Sequence, residues 1–267
     1  MAAGRIRIGI GGWTFEPWRG VFYPPGLKQA DELAYAASKL TAIEINGTYY
    51  SSFKPESWAR WRAATPDGFK FAVKASRFCT NRKVLGQMAE SMQRFVGQGL
   101  TELGDRLGPI LWQFMATKRF EPDDFEDFLK LLPNSQDGVP LVHVVEPRHA
   151  SFMTPQFVAL ARKYGVAVCL ADHAQYPLIP DVTGEVVYAR LQTGSDAIAT
   201  AYPPADLDLW AQRFKAYAAG GRPADLPPVD PVSEAPGTPR DVYAFVIHEG
   251  KVRAPAAATA LIDRVGR

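Results

Sequence analysis

The sequence predicts an α/β fold, a closed (β/α)8 barrel of the TIM type with a long proline-rich loop before its last strand, and three observations carry that prediction. Eight short runs have strand chemistry. Stretches with helical periodicity separate them, and strands that alternate with helices pair in parallel through right-handed crossovers. No G-x-G-x-x-G follows the first strand, where Ile10-Gly11-Gly12-Trp13 stands, so the main signal for an open doubly wound sheet is missing.

The predicted strands are 6–10, 41–46, 69–74, 109–114, 141–146, 166–172, 186–191 and 242–248. The predicted helices are 29–40, 55–64, 85–103, 122–132, 155–164, 207–219 and 255–265. Pro55, Pro122, Pro155 and Pro255 stand where a first helical turn accepts proline without losing a hydrogen bond. Thr154, just before Pro155, is an N-cap. The connection after Asp172 carries the weakest helical signal. Residues 220–240 hold six prolines and show no periodicity, so they read as an irregular loop. A lid, a linker-like insertion, a partner contact and a plain surface loop all fit that composition.

Composition sets outer bounds. At 267 residues, with 47% hydrophobic residues, the chain forms a single domain that buries roughly 70–75% of its unfolded surface. It therefore needs no disulfide or metal staple. Cys79 and Cys169 form no framework and no zinc-ligand spacing, which points to a reducing cytoplasm. The first seven residues lack the apolar segment of a signal peptide, and no run of about 18 apolar residues occurs, so no membrane partner is expected. The net charge of +2 is spread along the chain, which does not favour a nucleic-acid partner.

Strand parity locates the chemistry. In a barrel, alternate strand residues face the lumen, and the C-terminal strand ends line the site. Counting from the apolar positions sends Glu44 and Asn46 inward from the second strand, Lys74 from the third, Gln113 from the fourth and Glu146 from the fifth. The same count places Asp172, Arg190 and His248 inside from the sixth, seventh and eighth strands. Buried charges without partners cost several kcal/mol, so this ring must be mutually paired, hydrated or ligand-bound. A purely structural ion-pair network of Glu44, Glu146 and Asp172 with Lys74, Arg148 and Arg190 is the bland alternative.

Individual roles follow from side-chain chemistry. Glu44 and Glu146 are candidates for general acid and base. Arg148 suits a bidentate grip on phosphate or carboxylate, and His149 suits either proton transfer or a plain place in an exposed loop. Lys74 desolvated beside Arg190 would be a base or Schiff-base amine; beside Glu44 it is an anion anchor, the reading adopted. The aromatic stretch Trp13, Phe15, Trp18, Phe22 and Tyr23, with Tyr49 and Tyr50, forms either a stacking platform or a packing cluster at the mouth. Glu44, Glu146, Asp172 and a histidine have the donor chemistry of a divalent hydrolase metal. With no HxH or HExxH and four histidines in all, no cofactor is predicted, and a divalent metal stays as the alternative.

Taken in order, IGIGGWTFEPWRGVFYP (8–24), AIEINGTYY (42–50), FKFAVKASRF (69–78), LGPILWQF (107–114), VEPRHASF (145–152), LAD (170–172) and YARL (188–191) resemble the YecE-like family, domain of unknown function 72. The resemblance implies a TIM-type barrel and brings no established reaction. It marks Trp13, Glu44, Asn46, Tyr50, Lys74, Gln113, Glu146, Arg148, His149, Asp172 and Arg190 as site residues. The chain departs from the family pattern at Thr80-Asn81, where Thr-His is usual, at Phe114-Met115, where Leu-Pro is usual, and at Val246-Ile247-His248-Glu249, where the strand end is usually Asn-rich.

These readings combine into an enzyme on a small phosphorylated or carboxylated substrate. Glu44, Lys74, Glu146, His149 and Asp172 are its catalytic candidates. Trp13, Asn46, Tyr50, Gln113, Arg148, Arg190 and His248 are its binding candidates. A metal-dependent phosphoesterase, acting on nucleic acid among other esters, and a non-catalytic ligand-binding barrel are the rivals.

Overall fold

The structure, a computed structural model, describes residues 3–231 and 237–266. Eight parallel strands close a barrel: β1 (Ile6–Gly11), β2 (Ala42–Ile45), β3 (Lys70–Lys74), β4 (Leu107–Gln113), β5 (His143–Glu146), β6 (Ala167–Asp172), β7 (Val186–Thr193) and β8 (Asp241–Glu249). Each pairs with its sequence neighbours, and β8 closes on β1 in the register Ile6 to Val242 through Ile10 to Val246. The surrounding helices are α1 (Glu32–Lys39), α2 (Pro55–Ala63), α3 (Ala89–Val96), α4 (Pro122–Leu131), α5 (Pro155–Lys163), α6 (Pro204–Ala218) and α7 (Ala254–Val265). Proline starts α2, α4 and α5, and the Thr154 hydroxyl accepts the Phe157 N–H at 3.3 Å to cap α5.

Two apolar layers follow from strand parity. Ile8, Ile43, Ile45, Phe71, Val73, Ile110, Trp112, Val145 and Leu191 face the helices. Ala42, Ala72, Leu111, Val144, Cys169, Tyr188 and Phe245 fill the lumen below the mouth. Each mouth residue lies two positions beyond one of these lumen residues: Glu44 beyond Ala42, Lys74 beyond Ala72, Gln113 beyond Leu111, Glu146 beyond Val144 and Arg190 beyond Tyr188. A period-two side-chain alternation therefore stacks the polar layer directly on an apolar one.

Local departures from the sequence reading have identifiable causes. The helix expected over 85–103 is broken into α3 and a flanking 3-10 segment, Leu100–Arg106, because Gly99 takes φ +100°. Asp137 and Gly138 both have positive φ, the signature of a type I′ turn, and they join Ser135–Gln136 to Val139–Pro140 in a two-residue-per-strand hairpin ahead of β5. Among the described residues no helix separates β6 from β7.

The described part of the proline-rich loop is not a lid. The Asp181 carboxylate accepts the backbone N–H groups of Val229 and Asp230 at 2.7 and 3.0 Å, and Arg162, in the last turn of α5, pairs with Asp230 at 3.2 Å. Those anchors lie at the end of the barrel where strands begin, opposite the mouth. The rest of the predicted loop, 232–236, lies outside the described residues. No described helix is long and apolar enough to cross a membrane.

Candidate functional site in the barrel mouth

The C-terminal strand ends surround a cavity of about 610 Å³. Its floor is a closed charge network centred on Arg190 of β7. Arg190 donates from Nη1 to Glu146 Oε2 at 2.7 Å, from Nη2 to Glu44 Oε1 at 3.1 Å and from Nε to Glu44 Oε2 at 3.2 Å. Tyr188 Oη donates to Glu44 Oε2 at 2.6 Å, and Gln113 Nε2 to Glu146 Oε2 at 2.8 Å. Arg148 Nε completes the network by donating to Glu146 Oε1 at 2.9 Å. Both carboxylates are fully buried and fully paired. Burial alone would raise the Glu146 pKa, but Arg190 and Arg148 outweigh it and hold the group below the ordinary glutamate value. Burial likewise opposes the charge of Arg190, yet Glu146 and Glu44 raise its pKa further.

Lys74 stands apart from this network. Its side chain rises from the end of β3 into the cavity, with Nζ 4.1 Å from the ring centroid of Tyr49. Among the described residues Nζ has no hydrogen-bond acceptor and no carboxylate within 4.0 Å. Burial first, and the Arg190 guanidinium second, bring its pKa down from 10.5 to about 8. The backbone beneath it is fixed, because the buried Thr48 hydroxyl donates to the Lys74 carbonyl at 2.5 Å. Asn81 donates from Nδ2 to Tyr49 Oη at 3.1 Å and so holds the ring that Lys74 rests on.

Two further lining residues, Lys251 and Gln192, were not singled out by parity or motif spacing, and Trp18 of the aromatic stretch joins them. Lys251 follows β8, lines the same cavity and lies with Nζ 4.1 Å from the Phe15 ring, again without a carboxylate partner among the described residues. Trp18 lines the cavity and donates from Nε1 to the Lys251 carbonyl at 2.8 Å. Gln192, two positions beyond Arg190, is 1% exposed, and among the described residues its Nε2 has no hydrogen-bond partner. Parity extended by one more step would have found it. Gly11 keeps the opening clear: a Cβ there would meet Ile247 Cγ2 at 2.8 Å and Asn46 Nδ2 at 2.9 Å.

The structure brings Glu44, Asn46, Tyr50, Lys74, Gln113, Glu146, Arg148 and Arg190 together at the mouth or just beneath it. It corrects four other placements. His248 lines the cavity, as a binding role requires, but from its rim rather than from the lumen. A bulge between Val246 and Glu249 breaks the parity, and His248 has φ +71° and a side chain 57% exposed, paired with Glu249 at 3.1 Å. Asp172 is in register with outward-facing Leu191, and its Oδ2 accepts from Thr193 Oγ1 at 2.7 Å and Tyr202 Oη at 2.9 Å. His149 caps a turn, its Nδ1 accepting from the Ser151 N–H at 3.1 Å and from its hydroxyl at 2.8 Å. Trp13 packs on the helix side against Trp61 and Phe71, at centroid distances of 5.2 and 6.3 Å.

The donor set therefore does not fit a metal ion. Glu44 and Glu146 spend their oxygens on arginine, tyrosine and glutamine donors, and Asp172 and His149 point elsewhere. Among the described residues no three His, Cys, Asp or Glu side chains converge.

A family model described as "Protein of unknown function DUF72" matches residues 7–267. UPF0759 protein YecE of Escherichia coli K12 is 28% identical over 150 residues, which cover 55% of this chain and 50% of that protein. The chain thus spans about half the length of the curated relatives it matches. A DUF72 family protein from Thermotoga maritima superposes with a TM-score of 0.68 at 21% identity, covering 96% of both chains. Another from Enterococcus faecalis gives 0.67 at 16% identity over 97% of this chain and 95% of that one. These two likenesses show the barrel fold.

Proposed function

The chain belongs to the DUF72 family of proteins of unknown function, and from that premise and the charge distribution of the mouth we propose that it is an enzyme acting on a small phosphorylated or carboxylated substrate. The observation that carries the reading is the pair of lysines left over when the floor network is closed. Arg190 and Arg148 balance Glu44 and Glu146, whereas Lys74 and Lys251 share the cavity without carboxylate partners among the described residues. Glu249 places one exposed carboxylate on the rim, so the mouth retains one positive charge in excess.

On this reading the network is a scaffold. It fixes Arg190, and because every oxygen of Glu44 and Glu146 already accepts from an arginine, tyrosine or glutamine donor, the two glutamates position groups instead of acting as acid and base. Lys251 holds the anion by charge, Lys74 adds a second positive charge while it is protonated, and the Gln192 amide supplies a neutral donor. Lys74, with a pKa of about 8, is also the mouth's proton-transfer group near neutral pH.

Calorimetric titration with inorganic phosphate and malonate tests the binding step. Affinity should fall at least tenfold in Lys74→Met and in Lys251→Ala. Equal affinity in the wild type and in the double variant would overturn the assignment. A turnover screen of phosphorylated and carboxylated compounds tests the enzymatic step, and tight binding without turnover across it would leave a ligand-binding barrel.

A further inference from the structure

We infer that Lys74 is a Schiff-base nucleophile, and that the substrate is a ketone or aldehyde carrying a phosphate or carboxylate group. The inference rests on the anion-binding reading above, and it names the chemistry of the group that reaches Lys74. Lys251 then holds the anionic end, and the carbonyl carbon faces Nζ.

Geometry supports the amine as a reacting group more than as a permanent charge. An anchoring ammonium gains from a carboxylate or a hydrogen-bond acceptor, and Lys74 Nζ has neither among the described residues. The Arg190 guanidinium, which Glu44 and Glu146 pin in place, opposes its charge, and the pull of those two carboxylates and the push of Arg148 come after burial and Arg190. At 9% exposure the side chain is poorly hydrated, yet it opens onto a cavity of about 610 Å³. These conditions favour the neutral amine, the form that attacks a carbonyl. The pKa of about 8 leaves roughly a tenth of the amine free at pH 7, against well under a thousandth for an ordinary lysine.

The neighbours also suit the product. The Lys74 nitrogen pair attacks the carbonyl carbon to give a carbinolamine, whose C–O bond then breaks. Counting from the ammonium, two of its protons leave with that oxygen as water, and the product is a protonated imine. No oxidant or further reactant is needed. The imine keeps its positive charge against the face of the Tyr49 ring, 4.1 Å from the present ammonium. Gln192 Nε2, buried in the wall of the same cavity and without a partner among the described residues, is a donor for the departing or retained oxygen.

Borohydride trapping tests this. The wild-type protein is incubated with pyruvate or with dihydroxyacetone phosphate near pH 7.5, reduced with sodium borohydride, and mapped by peptide mass spectrometry. The expected result is a reduced adduct on Lys74 at least tenfold above that on any other lysine, suppressed by saturating inorganic phosphate and absent from Lys74→Arg. Mapping the wild type makes the answer independent of how the variant folds. Absence of a Lys74 adduct with both probes, or even labelling of surface lysines, overturns the nucleophile. If phosphate still binds in that case, the anion-binding reading stands alone. A Lys74 adduct with no phosphate binding would keep the nucleophile and remove the anionic part of the substrate.

Discussion

Arg190 Nη1 and Glu146 Oε2 meet at 2.7 Å inside the barrel, with Glu146 wholly out of contact with solvent. Taking both charges out of water costs several kcal/mol each, and only their mutual attraction with the added donors of Gln113 and Arg148 offsets it. The pair is consequently a structural device: it orders the floor on which the mouth stands, and removing one member should hurt more than removing several.

Arg190→Met leaves two buried carboxylates without their shared cation. Thermal and chemical denaturation should show a loss of about 3–5 kcal/mol. Adding Glu44→Gln and Glu146→Gln to that variant should restore at least a third of the loss. If the single and triple variants are equally unstable, the charge argument fails and the loss belongs to packing.

Glu146 gives a signed pH dependence. Its folded pKa lies below the unfolded value of 4.5, so its stabilising contribution is fully present above that value and is lost as pH falls through the folded pKa. The stability gap between wild type and Glu146→Gln, measured by urea unfolding, should be constant from pH 7 to about 5 and should narrow below it. A gap that stays the same at pH 3 would contradict the assignment.

Lys74 has the opposite consequence. The unfolded lysine holds its proton up to 10.5, whereas the folded one releases it at about 8, so folding pays a penalty that is full below pH 8 and disappears toward 10.5. Lys74→Met should therefore stabilise the protein at pH 7 by roughly 1–3 kcal/mol, with loss of the Tyr49 contact offsetting part of the gain. The advantage should shrink on titration from pH 8 to 10. Destabilisation at pH 7 would show that the ammonium is a structural charge.

Asp172 and His149 separate position from chemistry. Asp172→Ala removes an acceptor of two hydroxyl hydrogen bonds, and His149→Ala removes the acceptor at the Ser151 turn. Each should cost about 1–2 kcal/mol in denaturation while changing phosphate affinity less than twofold. A tenfold loss of affinity in either would return that residue to the site.

Much of this was legible in the sequence, because a barrel repeats one local rule. Apolar residues of period two identified the strands, proline and threonine marked helix starts, and parity sent Glu44, Lys74, Gln113, Glu146 and Arg190 inward. The Asp137-Gly138 hairpin was not among the readings, because its strands of two residues each are too short to show a period. Parity failed where backbone regularity ended: the sixth strand's count was off by one at Asp172, and a bulge turned His248 out to the rim. Trp13 and His149 were misplaced because a loop has no period to count.

The sequence by itself determined the barrel, its closure and the polar layer at its mouth, since these follow from side-chain alternation along each strand. The tertiary structure alone decided which charges pair. Arg190 and Glu44 are 146 residues apart in the chain, and ion pairing falls off within a few ångströms, so no local pattern records it. That same closure in space satisfies Glu44, Glu146, Arg148 and Arg190 among themselves and leaves Lys74 against the face of the Tyr49 ring.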